Sequence, residues 1–109
     1  MPWLVREGDV LAAAEVAGTR RDRRRGLRGR EHLDGAFVLR PCRNVHTVGM
    51  RFPVDVAFCD HDGVVIRTCC LRPWRLSPLV FRAALAIEAT AGAFDRWDLR
   101  PGDKVEIKE

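Results

Sequence analysis

Two β-branched, apolar runs, Val54 to Cys59 (VDVAFC) and Val64 to Leu71 (VVIRTCCL), flank the short polar stretch Asp60-His61-Asp62-Gly63. Runs of this composition favour strands, and an Asp-Gly turn between two of them closes an antiparallel pair. Gly63 suits the positive φ of such a turn. Residues 54–71 are therefore expected to form a β-hairpin. Pro53 argues against helix at Phe52, and Val54 to Cys59 is the strongest strand. In this hairpin Cys59 lies beside the turn and Cys69 and Cys70 at the far end, too distant for a disulfide.

The other elements are shorter. Asp9 to Val16 (DVLAAAEV) is apolar and reads as strand or helix. Thr19 is a suitable N-cap for the arginine-rich stretch that follows, with Asp22 at the third helical position and an end near Gly29. Gly35 to Leu39 reads as a short buried strand, and Pro41 ends it. Cys42 to Asn44 form a loop, and Val45 to Met50 are extended. Arg72 to Pro78 is a loop with two prolines, and Ala83 to Ala89 is an apolar strand. Gly92 to Leu99 fits one or two helical turns, with Phe94 and Trp97 at i, i+3. Arg100 to Asp103 turn into a last strand, Lys104 to Ile107. The expected fold is α+β: one small domain over residues 1–109, with a curved or barrel-like mixed sheet of five or six short strands and two short helices.

The chain's 109 residues allow one core and no second domain. No run approaches the ~18 apolar residues that cross a bilayer, and the N-terminus lacks the pattern of a secretory signal. The expected location is the cytoplasm. The net charge of +4 is concentrated: residues 20–30 carry seven arginines and one aspartate, and the remainder is slightly acidic. Such a run binds polyanions in some proteins, but this one has no interleaved aromatics for base stacking. It is read as a solvated helix face, and nucleic acid is not expected as a partner. Four cysteines, at 42, 59, 69 and 70, show no C-x-x-C spacing. They are read as reduced, mostly buried thiols. No metal site and no cofactor is expected, because Cys42, His46, Cys59 and His61 lack structural-zinc spacing.

Five motifs stand in an order that resembles one family, the bacterial and archaeal domain of unknown function numbered 192. Arg23 to Arg30 (RRRGLRGR) resembles its R-x-x-G-L-x-G-R helix. Gly35 to Leu39 is similar to its G-x-x-F strand. Pro53 to Phe58 (PVDVAF) is similar to its Pro-Leu-Asp-apolar-apolar-Phe strand, and Asp62-Gly63 to the turn after it. Ile87-Glu88 with Gly92, then Gly102-Asp103, resemble its closing L-E-x-x-x-G segment and Gly-Asp turn. His46 to Met50 (HTVGM) departs from the family's aromatic-Met-x-Asn-Thr form, and Arg28 stands where Met is usual. The resemblance spans about residues 9–107. It implies a small mixed sheet with short helices packed on it, and it implies no activity.

Candidate binding residues gather around Asp55. An acid opening an apolar strand needs a partner or water, and Arg51 or His46 lies nearby in sequence. With Thr47, these residues make one polar cluster. Glu88, placed by its match to the family segment, is read as a second wall of the same cleft. The expected ligand-binding set is His46, Thr47, Arg51, Asp55 and Glu88. The leading function is a non-catalytic binding or accessory module taking a small anion or a peptide carboxylate. The alternatives are a small hydrolase-like enzyme in the same pocket, and polyanion binding through the Arg20–Arg30 run. No contact with a membrane is expected.

Overall fold

The hairpin that organises the sequence also organises the structure. In a computed structural model describing residues 1–109, strand Val54–Cys59 pairs antiparallel with Val65–Leu71, in a register that sets Val54 opposite Leu71. The elements in chain order are β1 (Trp3–Arg6), β2 (Asp9–Ala17), α1 (Arg20–Arg25), β3 (Ala36–Leu39), β4 (Val54–Cys59), β5 (Val65–Leu71), β6 (Leu85–Thr90), α2 (Ala93–Trp97) and β7 (Val105–Lys108). The strands form one sheet in the order β5-β4-β6-β3-β2-β1-β7. All neighbours are antiparallel except β2 and β3.

The sheet has seven strands, one or two more than the sequence suggested, and it is not closed. The added strand is β1, joined to β2 through Glu7 and Gly8, both at positive φ (50° and 85°). Two central residues of that kind make the primed turn whose twist matches antiparallel strands. The sheet's outer strands approach each other at one corner. A single bridge joins Val64 to Lys104, and the amide of Val105 donates to the carbonyl of Gly63 at 2.9 Å. Gly63 is required there. Its φ is +85°, and a Cβ on it would stand 2.2 Å from the Val105 carbonyl oxygen.

Both faces of the sheet are covered. Alternation along β4 sends Ala57 and Cys59 into one core, with Leu4, Val38, Ile87, Phe94, Leu99 and Val105. It sends Val54, Val56 and Phe58 into the other, with Phe37, Leu39, Leu27, Val45 and Met50. The second core is covered by the segments after α1, through Leu27, Leu33, Val45 and Met50, while α1 itself buries no residue. Thr19 caps α1 as expected, its hydroxyl accepting from the Asp22 amide at 3.1 Å. The helix ends at Arg25 rather than near Gly29, because Gly26 (φ +52°) already leaves the helical region.

Asp55 secures α2 to the first face. Its Oδ2 accepts from the backbone amides of Gly92 (3.0 Å) and Phe94 (3.1 Å), two groups the helix itself leaves unpaired. Phe94 and Trp97, at the predicted i, i+3 spacing, then stack with ring centroids 5.8 Å apart. Asp55→Ala should destabilise the fold by roughly 2–3 kcal/mol, since it strands the buried Phe94 amide and removes the partner of the half-buried Gly92 amide. Asp55→Asn should cost less than about 1 kcal/mol, because one amide oxygen can still accept both bonds. Denaturant unfolding of the two variants measures this; an equal, large loss for both would mean that the charge itself balances a cation.

Candidate functional site

The five residues singled out from the sequence do not share one cavity. In the register of β4 with β6, Asp55 stands opposite Ala89 and Val56 opposite Glu88. Cross-strand partners project to the same side, so Asp55 and Glu88 lie on opposite faces of the sheet. The expected pair with Arg51 does not form. Arg51 is exposed and lies 3.6 Å from Glu31, while the carboxylate of Asp55 is held by the α2 amides. Thr47 is fully buried and committed to backbone: its hydroxyl donates to the Arg72 carbonyl at 2.6 Å and accepts from the Arg75 amide at 2.8 Å. His46 and Glu88 both border one cavity, of about 410 Å³.

That cavity lies between α1, the segment Pro41–Val48 and the second face of the sheet. Arg20, Arg23, Arg24, Arg25, Arg28 and Arg43 line it, with Cys42, Asn44, Val48 and Met50. The arginines are placed by local structure. One turn of α1 carries Arg20, Arg23 and Arg24 on its i, i+3, i+4 side. The Arg23 guanidinium donates to the Gly18 carbonyl at 2.8 Å and to the Arg40 carbonyl at 3.3 Å. The stem of Arg28 crosses Gly49, where a Cβ would meet its Cγ and Cδ at 3.1 Å. The solvated helix face expected from the sequence is what the structure has: α1 buries no residue. The return of the chain through 41–48 sets one side of that exposed helix along the cavity. The concentration of seven arginines in eleven residues was the only available sign.

Glu88 is the unusual residue. It is 3% exposed, and its Oε2 is buried with no hydrogen-bond partner. Burial alone drives its carboxyl from 4.5 to about 7. Cys42 is close enough to feel both Glu88 and Arg23, and its thiol donates to the Asn44 carbonyl at 3.1 Å. Burial chiefly raises that thiol to about 11, which disfavours the thiolate form at neutral pH. Cys59 is pushed to about 12 by the same cause, and all four cysteines are free. His46 is exposed, and its Nδ1 accepts from the Val48 amide at 3.2 Å. No three His, Cys, Asp or Glu side chains stand close enough to hold a metal ion.

The profile of the DUF192 family, described as uncharacterised ACR, matches residues 4–107. The chain belongs to that family. No curated protein matches it. Two crystal structures share this fold. A protein of unknown function from Novosphingobium aromaticivorans superposes with a TM-score of 0.80 at 20% identity, over 96% of this chain and 82% of its own. A "putative transcription regulator" from Sinorhizobium meliloti gives 0.77 at 22% identity, over 96% and 90%. At these identities the likeness concerns the fold. No helix of the chain is long and apolar enough to cross a membrane.

The raised carboxyl of Glu88 has a thermodynamic consequence. A native state that binds this proton more tightly than the unfolded chain loses stability as pH rises from 4.5 to about 7, and the loss is complete above that. The full cost is roughly 3 kcal/mol at about 1.4 kcal/mol per pH unit. Glu88→Gln removes the ionisation. Denaturant unfolding should therefore favour the variant over the parent by roughly 2–3 kcal/mol more at pH 8 than at pH 5. A difference that does not change with pH would mean that the carboxyl ionises in solvent.

Proposed function

We propose that the chain is a non-catalytic binding module that takes a small anion, or the carboxylate end of a peptide, in the arginine-lined cavity. The observation that carries this reading is Glu88, whose Oε2 is buried without a partner in the cavity wall. Guanidinium groups at the rim attract and orient a carboxylate, sulfate or phosphate, which matches their forked donors. The buried carboxyl, protonated up to about pH 7, donates one hydrogen bond to an oxygen of the same ligand. His46 at the edge adds a donor. Thr47 supports the reading by holding the loop behind His46, and Asp55 by holding the sheet's other face together; Arg51 contributes positive charge outside the cavity. A cytoplasmic setting, where four free thiols persist, is part of this proposal.

One observation favours a second reading. A buried carboxyl poised near pH 7 also suits a general acid or base. The cavity lacks an activated nucleophile beside it, since burial disfavours the Cys42 thiolate. An enzyme of this kind would have to use water, and Glu88→Gln would abolish turnover while leaving affinity intact.

Calorimetric titration with sulfate and with N-acetylglycine, neither of which titrates near neutrality, tests the binding reading. Affinity should fall about tenfold per pH unit above 7, as Glu88 loses its proton. Glu88→Gln should keep the affinity and lose this pH dependence, because the amide remains a donor. Replacing Arg24 and Arg28 together by Gln should weaken binding at least about tenfold. Absence of binding at millimolar anion, or binding indifferent to both changes, would contradict the proposal.

A further inference from the structure

A second surface, separate from the cavity, is formed by the loop Arg72–Arg82 (RPWRLSPLVFR). Four large apolar side chains in it face solvent: Trp74 (64% exposed), Leu76 (70%), Leu79 (52%) and Phe81 (74%). Scattered single apolar residues on a surface need no explanation, but four within eight residues do. The loop is not loose. The Trp74 amide donates to the Thr47 carbonyl at 2.9 Å, the Ser77 amide to Val45 at 2.9 Å and the Val80 amide to Arg43 at 2.8 Å. The buried Ser77 hydroxyl accepts from the Val45 amide at 2.9 Å. The backbone is thus fixed while the apolar side chains point away from the fold.

Charge narrows what could cover them. From Val64 to Ile87 the chain has four arginines (67, 72, 75 and 82) and no acid. Arg67 and Arg82 border the same surface depression as Leu79 and Phe81, and Arg72 and Arg75 border another with Leu76. Asp60 lies close enough to feel Arg82. The strip 43–48 that anchors the loop also lines the arginine cavity, so α1 adds its cations beside it.

We propose that this loop docks the protein on an anionic lipid surface, with Trp74, Leu76, Leu79 and Phe81 entering the headgroup layer and the arginines meeting lipid phosphates. A protein partner would call for an apolar centre with charges at the rim, whereas here arginines alternate with the apolar side chains. A nucleic acid would use the aromatic rings but gain little from Leu76 and Leu79. A lipid headgroup layer offers apolar and anionic chemistry side by side, and each surface arginine adds attraction to it. The expectation of no membrane contact rested on the lack of a spanning segment, which surface docking does not require.

Co-sedimentation of the full chain with vesicles tests this. Binding should be at least about tenfold stronger to phosphatidylcholine vesicles containing roughly a third phosphatidylserine than to phosphatidylcholine alone, and should weaken with salt. Trp74→Ser with Phe81→Ser should reduce it about tenfold with an unchanged melting temperature, since both side chains are exposed. Equal binding by the double variant, or no preference for anionic vesicles, would overturn the proposal. So would tighter binding to a single-stranded oligonucleotide than to the vesicles. A concentration-dependent dimer abolished by the same substitutions would assign the loop to a second copy of the chain and overturn it as well.

Discussion

Strand β6 runs between β4 and β3 with both of its faces packed, and this position dictates the chemistry of the molecule. Ile87 and Ala89 enter one core, Ala86 the other, and Glu88 must enter that second core with it. A carboxylate in such a place is costly unless it is paired, and Glu88 has no pair. Burial answers by raising its carboxyl to about 7, which favours the protonated form. A sequence selected for stability alone would hold an apolar residue here, so the retained acid points to the cavity that it adjoins.

Much of the sheet was legible in the sequence, for local reasons. The β4–β5 hairpin needs only alternation and a turn, and both are contained in residues 54–71. Asp60 completes the turn, its Oδ1 accepting from the amides of Asp62 and Val64 at 3.0 Å each, and these bonds hold its carboxyl below the usual range. β2 was ambiguous because its alanines favour helix; pairing on both sides, with β1 and β3, decided for strand. β1 escaped because four residues near a terminus carry no periodicity, although Glu7-Gly8 was a hairpin turn in plain view.

The site was legible only in part, because it depends on register. Which face Glu88 occupies relative to Asp55 is set by pairing between strands some thirty residues apart, and shifting β6 by one residue would bring Glu88 to the face of Asp55. Asp55 was correctly read as an acid in need of a partner. Its partners proved to be amides of a helix end formed 37 and 39 residues later, which no local pattern announces. The arginines of α1 likewise became a cavity wall only through the return of residues 41–48. The same return strip fixes the exposed Trp74–Phe81 loop, so one short segment builds both the cavity and the outer apolar surface.

The account rests on a Glu88 carboxyl that is neutral near pH 7 and opens to the cavity. Carbon-13 NMR titration of the glutamate carboxyls, with Glu88 assigned by comparison with Glu88→Gln, measures this directly. The account predicts a midpoint near 7, shifted upward when the cavity is saturated with sulfate, as a nearby anion favours the protonated form. A midpoint near the ordinary ~4.3 of glutamate, unmoved by sulfate, would contradict it.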